Sequence, residues 1–185
     1  MKKTIIKGIW ATVLGTILGL LAGTSANAYT SLGCTYASGT INPITFRFYS
    51  VGDSTLVTAT KAGVVAWNDT TTPGYFEETT VSLDPEVNVT DGSFPTDNFY
   101  AKISYSCING HFSGNEVNFI WNNARLTTRT SAQKSRIAVH ELGHSYGLDH
   151  VITGCHIMRF DVGYMTDCLR TSPSSDDIAG ANALN

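Results

Sequence analysis

The stretch HELGHSYGLDH, residues 140–150, constrains this chain more than any other part of it. Residues four apart on a helix turn through about 400° and rise about 6 Å, so His140 and His144 present their imidazoles on one face, one turn apart. Such a pair can grip one small cation. Glu141 is rotated by about 100° from His140 and reaches the edge of that face without being forced among the ligands. Gly147 can take the left-handed conformation that stops the helix and turns the chain back beneath it, so that Leu148-Asp149-His150 brings up a third imidazole. Three neutral nitrogens leave a tetrahedral Zn²⁺ one open position, which distinguishes catalytic from closed structural zinc. The ion would lower the pKa of water toward ~7, and Glu141 stands where it could take the proton. The competing reading is a set of surface histidines on an amphipathic helix near a turn. It must account for five positions in register: His140, Glu141, His144, Gly147 and His150.

The rest of the chain predicts a scaffold for that helix. Residues 44–49 are β-branched and aromatic, bounded by Pro43 and by Gly52-Asp53, and read as a strand ending in a turn. Asp53 or Ser54 can cap the helix that follows, in which Leu56, Ala59, Thr60, Gly63, Val64 and Trp67 recur at helical spacing; Asn68-Asp69, a threonine run and Pro73-Gly74 end it. Short strand-like pieces lie near 75–77 and 87–89. Residues 101–108 and 116–121 predict an antiparallel hairpin across Asn109-Gly110 and Gly114. The histidine-bearing helix is expected over 131–146, with Thr130 or Ser131 as N-cap and Gly147 just beyond its end. Pro173-Ser174-Ser175-Asp176-Asp177 opens a last helix with Ile178, Ala181 and Leu184 on one side. Strand, helix, strands, helix, helix is the order of an α/β sandwich with one mixed sheet.

With 185 residues and 42% hydrophobic content, the chain can bury one substantial core. Its first 28 residues stand apart: Lys2, Lys3 and Lys7 precede an apolar run over 9–22, and Ala26-Asn27-Ala28 ends in small residues. They read as a signal peptide cleaved after Ala28, leaving 29–185 as a secreted catalytic domain. The apolar run is shorter than the ~20 residues a membrane-spanning helix needs. The net charge of −3 becomes more negative once those lysines are removed, which argues against nucleic acid or an anionic membrane as partner. Cys34, Cys107, Cys155 and Cys168 form an even set, expected to pair as disulfides in an oxidising compartment. Of the three connectivities, the local pair Cys155–Cys168 is favoured, with Cys34–Cys107 as the remainder. No Cys-x-x-Cys spacing supports zinc ligation instead.

The run from His140 to His150 resembles the extended zinc motif of the metzincin metallopeptidases, and Gly143, Leu148 and the spacing look most like the matrixin branch in a bacterial-type secreted form. Met158, after Ile157, stands where matrixins carry the methionine turn below the metal; Met165 is the second choice. The ending SSDDIAGANAL is similar to the start of the last matrixin helix. The resemblance implies a zincin-like α+β fold: a mixed, mostly parallel twisted sheet with an antiparallel edge strand, packed on two long helices, and a C-terminal helix after the methionine turn. It implies a monomeric zinc endopeptidase with one catalytic Zn²⁺ on His140, His144 and His150 and Glu141 as general base. A protein or peptide substrate would lie along the sheet edge, for which 101–107 is the candidate, and 159–171 would wall the specificity pocket through Phe160, Val162, Tyr164 and Leu169. Calcium sites are common in the family, and Asp84, Glu86, Asn88 and Asp91 could supply oxygens for Ca²⁺, against the reading as a solvated acidic loop.

This sequence also departs from its relatives. Phe160 stands where astacin-like and serralysin-like enzymes have a tyrosine that assists at the metal, so no tyrosine is assigned that role. Cys34 lacks the arginine and aspartate that flank a latency cysteine, and activity without further cleavage is expected once Tyr29 is exposed. The alternative function is a secreted zinc-stabilised binding or toxin-like module without proteolytic turnover, in which Asp149 or His156 closes the metal as a fourth ligand.

Overall fold

The computed structural model describes residues 29–37, 42–80, 85–161 and 168–185. The expected signal peptide, Asp84, Val162, Tyr164 and Met165 lie outside them. In chain order the elements are β1 (Thr30–Ser31), β2 (Ile44–Ser50), α1 (Ser54–Asn68), β3 (Phe76–Glu78), β4 (Val87–Gly92), β5 (Ala101–Ile108), β6 (His111–Asn122), α2 (Asn123–Leu126), α3 (Ser131–Ser145), β7 (Leu148–Asp149) and α4 (Ser175–Leu184). The fold is mixed α/β. Five strands form one sheet in the order β3-β2-β4-β6-β5, parallel throughout except for the antiparallel pair β5–β6. The remaining two strands, β1 and β7, make a small antiparallel pair of their own.

Each helix forms where its apolar stripe and cap coincide. Asp53 caps α1 by accepting from the Thr55 N–H, and all six stripe residues, Leu56 to Trp67, are buried. Thr130 and Gln133 close a capping box on α3. α1 and α3 cross closely at Gly63, where a Cβ would stand 2.9 Å from Ala138 Cβ and 3.0 Å from the backbone of α3. The contact is tied by the Trp67 indole N–H, which donates to the Val139 carbonyl at 2.7 Å. On the sheet, Trp121 Nε1 donates to Thr60 Oγ1 at 3.1 Å. The core therefore lies between these helices and the parallel strands, with Val87, Val89, Val117 and Phe119 fully covered.

The hairpin differs from the expected seven-residue link. Asn109 (φ 53°) and Gly110 (φ 81°) both take the left-handed conformation, so Ile108 pairs directly with His111 across a two-residue turn. Residues 113–115, which read as loop, lie within β6 at a register irregularity opposite Tyr105 and Cys107. Disulfides join Cys34 to Cys107 and Cys155 to Cys168, the favoured connectivity. Two such bonds fit an oxidising, extracellular environment. Among the described residues, no helix is long and apolar enough to cross a membrane.

Candidate metal centre

The geometry of the histidine cluster starts at the C-terminus of α3. Tyr146 N–H donates to the Gly143 carbonyl and Gly147 N–H to that of His144, and Gly147 follows at φ 83°. A Cβ there would lie 2.7 Å from the Cys34 carbonyl oxygen, so both the turn and its surroundings demand glycine. The chain then reverses into β7, where it pairs with β1, and the Thr30 hydroxyl donates to the His150 carbonyl at 2.6 Å. His150 is thereby brought against the helix.

The three Nε2 atoms converge: His140 to His150 is 3.0 Å, and His144 lies 3.2 Å from each of the other two. Behind them, His140 Nδ1 is 2.7 Å from the Ile157 carbonyl and His144 Nδ1 is 2.7 Å from that of Leu148. A carbonyl only accepts, so both Nδ1 atoms carry the proton and both Nε2 atoms of the neutral rings turn lone pairs inward. Two acceptors at that distance have no hydrogen between them and repel unless a cation lies within reach of both. Burial pushes the His140 pKa well below its ordinary value and that of His144 down to about 4; the neighbouring imidazoles push the same way, and burial also lowers His150. All three are neutral near pH 7 and so available as ligands. Zinc with Zn–N bonds of about 2.0–2.1 Å in tetrahedral geometry spaces its nitrogens roughly 3.3 Å apart, close to this triangle. The donor set fits such an ion.

Among the described residues, no carboxylate or thiolate joins this group. Asp149 Oδ1 accepts from the His150 backbone N–H at 2.7 Å, and His156 Nδ1 sits 2.9 Å from Ser174 Oγ. Neither candidate fourth ligand is part of the cluster. Glu141 is buried on the adjacent face of α3. Burial pushes its carboxyl pKa up to about 8, partly offset by the Ile103 backbone N–H that donates to it.

Glu141 and the three histidines line a cleft of about 370 Å³. Ala101, Ile103 and Tyr105 of β5 form one rim; His150 and Phe160 stand across from it. Among the described residues β5 pairs within the sheet only with β6, and its other edge borders the cleft.

Met158, the expected turn methionine, is fully buried under the histidine helix. A Cβ on Gly143 would come 2.3 Å from its Sδ and 3.0 Å from Trp67, which explains a glycine in the middle of the motif. The turn is held by a residue that sequence reasoning placed only as part of a helix cap. The buried Asp177 carboxylate accepts from the Ile157 N–H (3.0 Å), the Met158 N–H (3.3 Å), and the Ser174 N–H (2.7 Å) and hydroxyl (2.6 Å). A cap aspartate three residues after a serine was visible; its long-range contacts were not.

The Ca²⁺ expectation finds no support among the described residues. Glu86 accepts from the Thr45 backbone and hydroxyl, Asn88 Oδ1 accepts from Arg47 Nε, and Asp91 accepts from the Gly52 and Asp53 N–H groups. These oxygens organise β2 and its neighbours. Leu32 in the cleft wall and the β1 strand that holds His150 were missed, because a two-residue strand carries no periodicity. No protein-family model matches the chain, and no curated protein matches it.

Proposed function

We propose that the chain is a secreted zinc-dependent endopeptidase of the metzincin type, matrixin-like, built on a zincin-like arrangement of sheet and helices. The observation that carries this reading is the convergence of three Nε2 atoms, those of His140 and His144 held unprotonated by carbonyls behind them, beside a buried carboxyl in a cleft bordered by the edge of β5. His140, His144 and His150 would hold Zn²⁺, which when bound acidifies water and polarises a carbonyl. Glu141 takes the proton of the attacking water and returns it to the leaving amine. A dication nearby favours the ionised form of Glu141 and so opposes the effect of its burial. An extended peptide adds to β5 as a further strand, its backbone matched by the N–H and C=O groups that this edge does not share with β6.

Zinc-stabilised binding without turnover would require a fourth protein ligand, and the group among the described residues is three histidines alone. The test uses residues 29–185 loaded with zinc. One zinc per chain, hydrolysis of a denatured protein at internal bonds and inhibition by a peptide hydroxamate are expected. Stoichiometric zinc with neither hydroxamate binding nor bond cleavage would overturn the proposal in favour of a closed site.

A further inference from the structure

The N-terminal arm, Tyr29–Thr35, links the two rims of the cleft. At its start Tyr29 packs on α4, where a Cβ on Gly180 would lie 2.6 Å from the tyrosine ring. Thr30 and Ser31 then pair with β7 on the His150 side, and the Leu32 N–H donates to the Gly147 carbonyl at 2.9 Å. Two residues later the arm is fastened to the opposite rim. Cys34 is bonded to Cys107 of β5, the Thr35 N–H donates to the Gly110 carbonyl at 3.0 Å, and the Phe112 N–H donates to the Thr35 carbonyl at 2.8 Å. Between these fastenings lie Leu32 and Gly33, and Leu32 lines the cleft.

From this path we infer that the arm is an end wall, which limits how many substrate residues fit on one side of the scissile bond. The inference rests on the endopeptidase reading above and adds a length limit to it. Ile103, whose N–H reaches Glu141, marks where the reacting bond sits along β5. Tyr105 is the last residue of β5 in the cleft, and Cys107 already carries the disulfide to the arm. A strand advances ~3.3 Å per residue, so roughly 7 Å of edge is open from Ile103 to Tyr105, room for about two or three substrate residues. At the opposite end, beyond Ala101, no disulfide stands. Antiparallel pairs are the commoner kind, and an antiparallel peptide points its N-terminal flank toward Tyr105 and the arm. The flank N-terminal to the cut is therefore the restricted one.

The test gives the zinc-loaded protein two sets of quenched fluorescent peptides sharing one scissile bond, one lengthened residue by residue on the N-terminal flank and the other on the C-terminal flank. kcat/KM is expected to fall roughly tenfold or more once the N-terminal flank exceeds about three residues, the length of open edge at ~3.3 Å per residue, with no such fall in the other set. Leu32→Ala, and separately Cys34→Ser with Cys107→Ser, should relieve that fall. Fluorescence anisotropy of the same peptides on the Glu141→Gln protein reads the limit without turnover and should show the same break. Equal tolerance of both flanks in cleavage and in binding, or a limit that neither variant relieves, would overturn the end wall. A protein that cuts no peptide of either set would instead overturn the peptidase reading, and the anisotropy series would still decide whether the arm restricts binding.

Discussion

At the residue scale, the centre is set by carbonyls that fix protons on the far side of two imidazoles. The Ile157 and Leu148 oxygens hold His140 and His144 as Nδ1–H tautomers, so their facing lone pairs are stable only with a cation between them. His144→Ala should therefore remove the metal, and a variant that keeps stoichiometric zinc by elemental analysis would exclude His144 as a ligand. The same burial predicts a pH dependence for the zinc-free protein. An unfolded histidine takes up a proton near pH ~6.5. The folded pKa values are lower, that of His144 about 4. Between these values the unfolded chain binds more protons, so stability falls as pH drops through that window and gains nothing from these groups above pH ~7. Glu141, with its carboxyl pushed up to about 8, works against this by taking up a proton on folding in the same window, so the histidine effect is read in Glu141→Gln. Thermal unfolding of that variant in chelator should show a Tm that declines from pH 7 to 5; a flat profile would contradict the buried neutral histidines.

At the element scale, the centre depends on pieces far apart in sequence. Asp177 reaches from α4 to the backbone of Ile157 and Met158, and the Ile157 carbonyl in turn holds His140. Asp177→Asn turns an acceptor of charged hydrogen bonds into a group that also donates, and should cost about 2–3 kcal/mol. It should also weaken zinc binding by roughly tenfold through the loosened Ile157 carbonyl. Unchanged Tm and unchanged zinc competition would sink that link. For the disulfides, chain-entropy arguments give about 3 kcal/mol for Cys155–Cys168 and about 4 kcal/mol for the longer Cys34–Cys107 loop. Serine pairs at each should follow that order in urea unfolding, and the reverse order would reject the loop-length account.

What could be read from the sequence follows the same division. α1 and α3 were legible because an apolar stripe of helical period meets a capping residue at Asp53 and at Thr130. The hairpin was legible through its Asn109-Gly110 pair, although a seven-residue link was expected and these two residues, both with left-handed backbone, make the whole turn. The length of β6 was not, since residues 113–115, Ser-Gly-Asn, imitate a loop. β1 was not either: Thr30 pairs with Asp149 across more than a hundred residues, and no local pattern encodes such a partner.

At the scale of the whole molecule, the antiparallel edge of an otherwise parallel sheet stands over the histidine helix. Leu32 of the N-terminal arm lines the space between them. In the proposed enzyme, burial would supply neutral ligands, the strand edge a place for an extended backbone, and Glu141 the proton carrier. The proposed peptidase chemistry requires all three, and the carboxylate alone can be neutralised by a near-isosteric change, Glu141→Gln, that leaves the three histidines in place. The most direct measurement is therefore mass-spectrometric profiling of a peptide library with the zinc-loaded wild type and Glu141→Gln in parallel, each verified as folded and holding one zinc. Wild type is predicted to cut internal peptide bonds, and Glu141→Gln to be slower by about 10²–10⁴-fold, the usual contribution of a positioned general base. A variant within a few-fold of wild type would contradict the account, and so would a zinc-loaded wild type that leaves the library intact.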